Sequence, residues 1–129
     1  MTIQFDPRLV DAAASALELL KKQINGLKAA VISTEDGFEV VAWLRDGASA
    51  ARLSAMVSSL AALGSVAGEE NQLGHCENIA VSFSDGHLVS VQARHAGIIL
   101  SVSAVVGREA LVGQAMYFAA SAARHIEAS

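Results

Sequence analysis

The fold of this protein is decided largely by one stretch of its chain, residues 24–38, which has the sequence INGLKAAVISTEDGF. Asn25-Gly26 indicates the end of a helix, because both residue types tolerate the left-handed conformation that a C-terminal cap needs. Residues 27–34 are rich in β-forming types and have apolar side chains on both sides, which is typical of a strand with layers above and below it. The Glu-Asp-Gly at 35–37 indicates a turn into a returning strand.

Hydrophobic periodicity on either side of this stretch predicts three helices and five strands in the order α-β-β-α-β-β-β-α. The helices are expected at about residues 8–25, 48–70 and 108–127, and the strands at about 27–34, 38–44, 76–84, 87–94 and 98–105. Asp6-Pro7 predicts the start of the first helix, since Asp caps free N–H groups and Pro is tolerated at the first helical position. Short connections predict an antiparallel sheet, and strands that are apolar on both faces predict helices on both sides of it.

The composition is that of one globular domain with an excess of apolar residues. Of 129 residues, 53% are hydrophobic and 17% are charged, against a usual charged share of about 25%. The longest uncharged run, residues 53–68, is too short and too rich in Ser and Gly for a membrane span, which needs about 20 mostly apolar residues. We therefore expect some of the apolar surface to contact another protein.

Charge and cysteine content exclude several classes of function. The net charge is −4 and the nine Lys and Arg residues are scattered, whereas nucleic acids and anionic membranes bind clustered cations. The single cysteine, Cys76, cannot form an intrachain disulfide. The N-terminal residues lack the pattern of a signal peptide, so a cytoplasmic location is expected.

The predicted second helix, residues 48–70, carries the clearest sign of a partner. Asp46 or Ser49 is expected to cap it. The stripe expected to lie on the sheet contains Leu53, Met56, Val57, Leu60, Leu63, Gly64 and Ala67. The opposite face is small and nearly uncharged, with Ala55, Ser58, Ala62 and Ser65. Because a solvated helix face normally carries charged side chains, we expect this face to contact protein; the alternative is a solvated surface rich in Ala and Ser.

The last predicted helix is amphipathic. Its first turn is expected to contain Glu109, which the helix dipole favours, and its last turns contain Arg124 and His125. The stripe expected to be buried contains Leu111, Ala115, Phe118, Ala119, Ala122 and Ile126.

No arrangement of residues predicts catalysis, a cofactor or a metal site. His75-Cys76-Glu77 has three possible metal ligands in a row, but consecutive strand residues point to opposite faces and cannot all hold one ion. The glycines of residues 107–113 lack the lysine of a phosphate-binding loop. Trp43 is either an anchor for a partner or a half-exposed packing residue at the edge of the sheet.

The order of these elements and three stretches of sequence resemble the roadblock family, named for the dynein light chain roadblock. The stretches are residues 24–38, residues 51–64 with the sequence ARLSAMVSSLAALG, and residues 98–102 with the sequence IILSV before a Gly and the closing helix. The resemblance covers about residues 24–127. It implies an α/β (α+β) three-layer sandwich similar to profilin and longin folds. The five-stranded antiparallel sheet would have the order 2-1-5-4-3, with one long helix on one face and two on the other.

The resemblance also implies a homodimer. Family members lay their long helices antiparallel and join their third strands into a ten-stranded sheet, which would also cover an exposed edge of the sheet. The residues expected in the interface are Ala55, Ser58, Ser59, Ala62 and Ser65 of the long helix and Ile79 and Val81 of the third strand.

Bacterial members of the family act with small Ras-like GTPases, some as activators that reposition the GTPase's own residues. Arg45, Arg52 and Arg94 are therefore given no catalytic role, and Arg45, Arg52 and Glu69 are expected as polar contacts at the rim of a partner site. The expected function is that of a non-enzymatic homodimer that binds and regulates a small Ras-like GTPase. The alternatives are a scaffold subunit of a signalling, polarity or motor complex with no effect on GTP hydrolysis, and a small-ligand sensor, which no convergent polar lining supports.

Overall fold

The computed structural model describes residues 4–45 and 48–129. These residues form eight elements in the predicted order. They are α1 (Pro7–Gln23), β1 (Leu27–Thr34), β2 (Glu39–Leu44), α2 (Ala50–Glu70), β3 (Asn78–Phe83), β4 (Gly86–His95), β5 (Ile98–Gly107) and α3 (Val112–Glu127).

The five strands form an antiparallel sheet in the order β2-β1-β5-β4-β3. The most apolar strand, β5, lies in the middle, and β2 and β3 are the edges. Helices α1 and α3 cover one face of the sheet and α2 covers the other. The expected three-layer fold and strand order are confirmed.

The first helix begins as its sequence predicts. The Asp6 side chain accepts a hydrogen bond from the Arg8 backbone N–H at 2.9 Å, and Pro7 occupies the first helical position. The helix ends at Gln23, and the chain then turns through Gly26, whose φ of 79° is costly for a residue with a side chain. The turn sends the chain directly into β1.

The two faces of the sheet have separate hydrophobic cores. The larger core lies under α1 and α3, and its largest fully buried side chains include Leu9, Leu20, Ile32, Leu100 and Ile126. Helix α3 contributes mainly alanines to it, which lets the helix approach the sheet closely. The smaller core lies under α2 and contains Ala29, Val31, Leu53, Val57 and Leu88.

The prediction for the start of the last helix was wrong. The helix begins at Val112 rather than near residue 108, Glu109 lies in the preceding turn, and Leu111 is 69% exposed instead of buried. The reason is that β5 extends to Gly107, whose N–H donates to the Gly26 carbonyl at 3.0 Å. The chain therefore leaves the sheet only after Gly107, and residues 108–111 form the turn that leads into the helix.

The prediction for the sheet-facing stripe of α2 was also wrong in part. Leu53 and Val57 are buried as expected, but Met56 is 55% exposed and Leu63 is 67% exposed. The residues that join the buried side are small, Ser54 and Gly68. Since each helical residue advances about 100°, α2 is rotated by roughly a quarter turn from its expected position.

Close approach explains why α2 places small residues against its neighbours. A Cβ atom at Gly64 would lie 2.6 Å from the Cys76 Sγ, and one at Gly68 would collide with the Gly74 carbonyl. Ser49 caps the helix, because its Oγ accepts from the Arg52 N–H at 3.2 Å. The other predicted cap, at position 46, lies outside the described residues.

Candidate protein-interaction surface

The side of α2 that points away from the sheet is apolar. We call this side the outer face of α2; its exposed residues are Arg52, Ala55, Met56, Ser59, Ala62, Leu63, Val66, Ala67 and Glu70. Val66 is 54% exposed, close to the value for Met56. By length and composition alone α2 could cross a membrane, and 17% of its most apolar window is buried inside the protein. A helix of this composition normally has more of its surface covered.

The structure places the predicted interface residues of α2 in two positions. Ala55, Ser59 and Ala62 lie on the outer face. Ser58 and Ser65 are half-buried at its border. The Ser58 Oγ donates to the Glu35 carbonyl oxygen at 2.9 Å, which ties it to the turn between β1 and β2. Whether these residues form an interface stays a prediction.

Three large side chains of the outer face were missed by the sequence reasoning: Met56, Leu63 and Val66. Both stripes of α2 are apolar or small, so helical spacing alone does not decide which stripe meets the sheet. The signal that could have decided it is the pair Gly64 and Gly68, since a glycine inside a helix often marks a close contact.

The edge strand β3 adjoins α2. Ile79 pairs with Ser90 and Val81 pairs with Leu88, so both predicted interface residues lie on the face of the sheet that α2 covers. Both are half-buried. In the described part of the chain, β3 pairs with β4 on one side only, and its other side presents backbone N–H and C=O groups.

The predicted rim residues lie at opposite ends of α2. Arg45 and Arg52 line one cleft of about 690 Å³ together with Lys28. Glu69 lies near the C-terminal end of α2, about 25 Å from Arg52 at a rise of 1.5 Å per residue. The structure therefore brings the two arginines together and separates them from Glu69.

The inner side of α2 covers a group of buried serines. Strand register places Ser33, Ser90, Ser101 and Ser103 on the same sheet face as α2, and Ser54 is buried on the helix. The Ser103 Oγ donates to the Ser90 Oγ at 2.9 Å. The Oγ atoms of Ser33 and Ser54 have no hydrogen-bond partner among the described residues. The contact between α2 and the sheet is therefore partly polar.

Two of the histidines form hydrogen bonds with residues that are distant in sequence. His75 bonds Gln92 at 2.7 Å, and His125 bonds Ser15 at 2.8 Å. Over residues 4–45 and 48–129, no group of three or more His, Cys, Asp or Glu side chains is placed to hold a metal ion. Trp43 is half-buried against the larger core, which favours the packing alternative for this residue.

Comparison with solved structures identifies the arrangement of layers. A roadblock/LC7 domain from Streptomyces avermitilis superposes with a TM-score of 0.75 at 24% sequence identity, over 88% of this chain and 93% of that one. The chain has the roadblock fold. The expected resemblance is confirmed at the level of the fold.

Two other roadblock-fold structures match nearly the whole chain. The gliding protein MglB from Thermus thermophilus has a TM-score of 0.80 at 15% identity, over 98% of this chain and 93% of that one. A structure of MglB with a tetrameric arrangement has a TM-score of 0.80 at 16% identity, over 98% and 92%. No protein-family model and no curated protein sequence matches the chain. The likeness is therefore one of structure, with little shared sequence.

Proposed function

We propose that this chain is a cytoplasmic roadblock-family protein that forms a homodimer, and that the dimer binds and regulates a small Ras-like GTPase without enzymatic activity of its own. One observation carries the proposal: the outer face of α2 is apolar and lies beside an unpaired sheet edge. The resemblance to bacterial members that act with such GTPases supports the second half. An MglB structure with a tetrameric arrangement supports self-association.

The apolar residues of the outer face supply a reason to dimerise. Leu63 and Val66 are each more than half exposed, and full burial of a side chain of this size is worth about 1.5–3 kcal/mol. A two-fold dimer buries the same residues twice, once from each copy. Joining the free edge of β3 to the same edge of a second copy would also satisfy its backbone groups.

The dimer is tested by size-exclusion chromatography with light scattering. We expect the wild-type protein to be a dimer at micromolar concentration and Ala62→Arg to be a monomer, because the substitution places a long charged side chain in the middle of the outer face. Ser121→Arg is the matched control, since Ser121 is exposed on α3. A wild-type monomer, or an Ala62→Arg variant that remains dimeric, would contradict the proposal.

A membrane is the other apolar environment that the outer face of α2 could meet. Leu53 and Val57 pack α2 along the sheet, so α2 is a layer of the folded domain. We expect the wild-type protein to remain in the aqueous fractions when it is floated with lipid vesicles. Flotation with the vesicles, together with loss of the dimer, would contradict the proposal.

The GTPase is tested with a small Ras-like GTPase encoded in the same genome. We expect it to bind the wild-type dimer and its rate of GTP hydrolysis to change, and we expect the Ala62→Arg monomer to have no effect. Binding without a change in rate would support the scaffold alternative. Neither binding nor a change in rate would contradict the GTPase assignment. Arg45, Arg52 and Glu69 stay predictions for contacts at the rim of this site.

A further inference from the structure

Three cations from three separate elements line one cleft at the N-terminal end of α2. Lys28 comes from β1, Arg45 follows β2, and Arg52 lies in the first turn of α2. We call this the basic cleft; its volume is about 690 Å³. All three side chains are exposed, and none forms an ion pair with another described residue. No acidic residue is among the described residues that line it.

An apolar groove of about 300 Å³ continues from the basic cleft. Its walls include Leu53, Met56, Phe83, Leu88 and Val105. The two cavities share four residues, Lys28, Leu53, Met56 and Val105, so they are adjacent. Phe83 is 61% exposed, so its ring is accessible to a partner at the mouth of the groove.

The polar groups at the far rim of the groove already have partners. Asp85 pairs with Arg108 at 3.5 Å, and the His87 Nδ1 lies 2.8 Å from the Ser82 Oγ. The charged groups that remain without a described partner are Lys28, Arg45 and Arg52, which lie at the other end of the groove, next to Met56. The surface thus has one apolar end and one basic end.

We propose that the basic cleft and the apolar groove together bind an acidic segment of a partner protein, with one large apolar side chain in the groove and carboxylates on the cations. The cations come from three elements and are exposed, which suits charges spaced along a peptide better than a single small anion. Arg45 and Arg52 can each bind a carboxylate through two parallel N–H groups. The net charge of the protein is −4, which repels an acidic partner from most of the surface. The basic cleft attracts such a partner locally and so directs it to this site.

This inference deepens the proposed function, and it rests on the premise of that proposal that the chain acts by binding proteins. It states what kind of partner segment binds at the N-terminal end of α2, namely an acidic one with a large apolar side chain. A two-fold dimer would contain two copies of the site.

The site is tested by selecting random displayed peptides on the wild-type protein and counter-selecting on the double variant Arg45→Glu, Arg52→Glu. The matched control is Lys22→Glu, Arg94→Glu, which changes the net charge equally at exposed positions outside the cleft. We expect the enriched peptides to combine Asp or Glu residues with one large apolar residue. A synthetic peptide of the enriched sequence should lose at least about tenfold in affinity on the cleft variant and keep its affinity on the control.

The groove is tested with Phe83→Ser, measured with the same peptide. We expect weaker binding with an unchanged dependence on salt, because the substitution removes apolar contact and leaves the cations in place. Light scattering on the same sample shows whether the dimer is retained. Binding by Phe83→Ser equal to that of the wild-type protein would overturn the role of the groove.

Three results would overturn the whole inference. The first is a selection that enriches no acidic peptides. The second is peptide binding that survives the double substitution Arg45→Glu and Arg52→Glu. The third is flotation of the wild-type protein with phosphatidylserine vesicles that this double substitution abolishes. GTPase binding that survives the cleft variant overturns the inference and leaves the proposed function standing. Peptide binding without GTPase binding overturns the proposed GTPase and supports the inference.

Discussion

The two faces of the sheet differ in how their helices are held. Under α1 and α3 the contact is a continuous apolar core of leucine, isoleucine, valine and alanine. Under α2 the apolar core is small, and the five buried polar residues of the described chain, all serines, lie there. More of the apolar side chains of α2 are exposed than buried. The difference indicates that α1 and α3 are held by the fold itself, whereas nothing in the described part of the chain covers the outer face of α2.

The largest expected effect compares one leucine from each face. Leu20→Ala in α1 removes a side chain that is 0% exposed, and we expect a loss of about 4 kcal/mol in the free energy of unfolding. Leu53→Ala in α2 should cost about 2 kcal/mol, because a small, partly polar core relaxes more easily around the cavity. Urea denaturation at one fixed protein concentration measures both. An equal or larger loss for Leu53→Ala would remove the difference between the two faces.

The close approach of α2 is tested at Gly64. Gly64→Ala puts a Cβ atom 2.6 Å from the Cys76 Sγ, and we expect a loss of about 1–2 kcal/mol in unfolding free energy. In a Cys76→Ala background the sulfur is absent, so the same change should instead stabilise by about 0.5–1 kcal/mol, because alanine favours a helix more than glycine. If the changes in unfolding free energy caused by Gly64→Ala and Cys76→Ala simply add, the contact between these two residues does not limit how closely α2 approaches its neighbours.

The buried serines provide a smaller test. Ser54→Ala removes a buried hydroxyl that has no described partner, so we expect a gain of about 1 kcal/mol in unfolding free energy. Ser103→Ala is the paired control, and it should cost about 1 kcal/mol because Ser90 loses its donor. A loss of stability with Ser54→Ala would mean that its hydroxyl has a partner, such as a buried water.

The smallest expected effect concerns the cap of α1. The hydrogen bond from the Arg8 backbone N–H lowers the pKa of Asp6 below its usual 3.8. A lowered pKa in the folded state contributes stability that is present above pH 3.8 and lost as the pH falls through the folded-state pKa. The difference in stability between the wild-type protein and Asp6→Ala should therefore be constant at neutral pH and shrink below pH 3.8. Asp11→Ala is the control on the same helix, and a pH-independent difference for Asp6→Ala would refute the prediction.

The sequence predicted the α1 side of the molecule well. Asp6 and Pro7 predict where α1 begins. Its apolar residues recur at helical spacing on one face only, so the sequence identifies the buried side of α1. The strands β1 and β5 were predicted as two-sided from their apolar residues, and both lie inside the sheet. The start of α3 was missed because the length of β5 depends on pairing with β1 and β4, which local sequence does not contain.

The candidate surface was predicted less completely. Helical spacing identified Ala55, Ser58, Ala62 and Ser65 as residues that share a side of α2. Ala55 and Ala62 lie on the outer face, and Ser58 and Ser65 are half-buried at its border. Helical spacing did not place Met56 or Leu63 on the outer face, because both sides of α2 are apolar or small and periodicity finds no contrast between them.

By itself, the sequence determined the order of the elements, the antiparallel sheet, the layers on both of its faces and the surplus of apolar residues in α2. Those features depend on local periodicity, turn residues and composition. Only the tertiary structure decided the rotation of α2 and the meeting of Lys28, Arg45 and Arg52 in one cleft. The rotation follows from close contacts of Gly64 and Gly68 with residues that are adjacent in space, and the cleft follows from three elements that the sheet brings together.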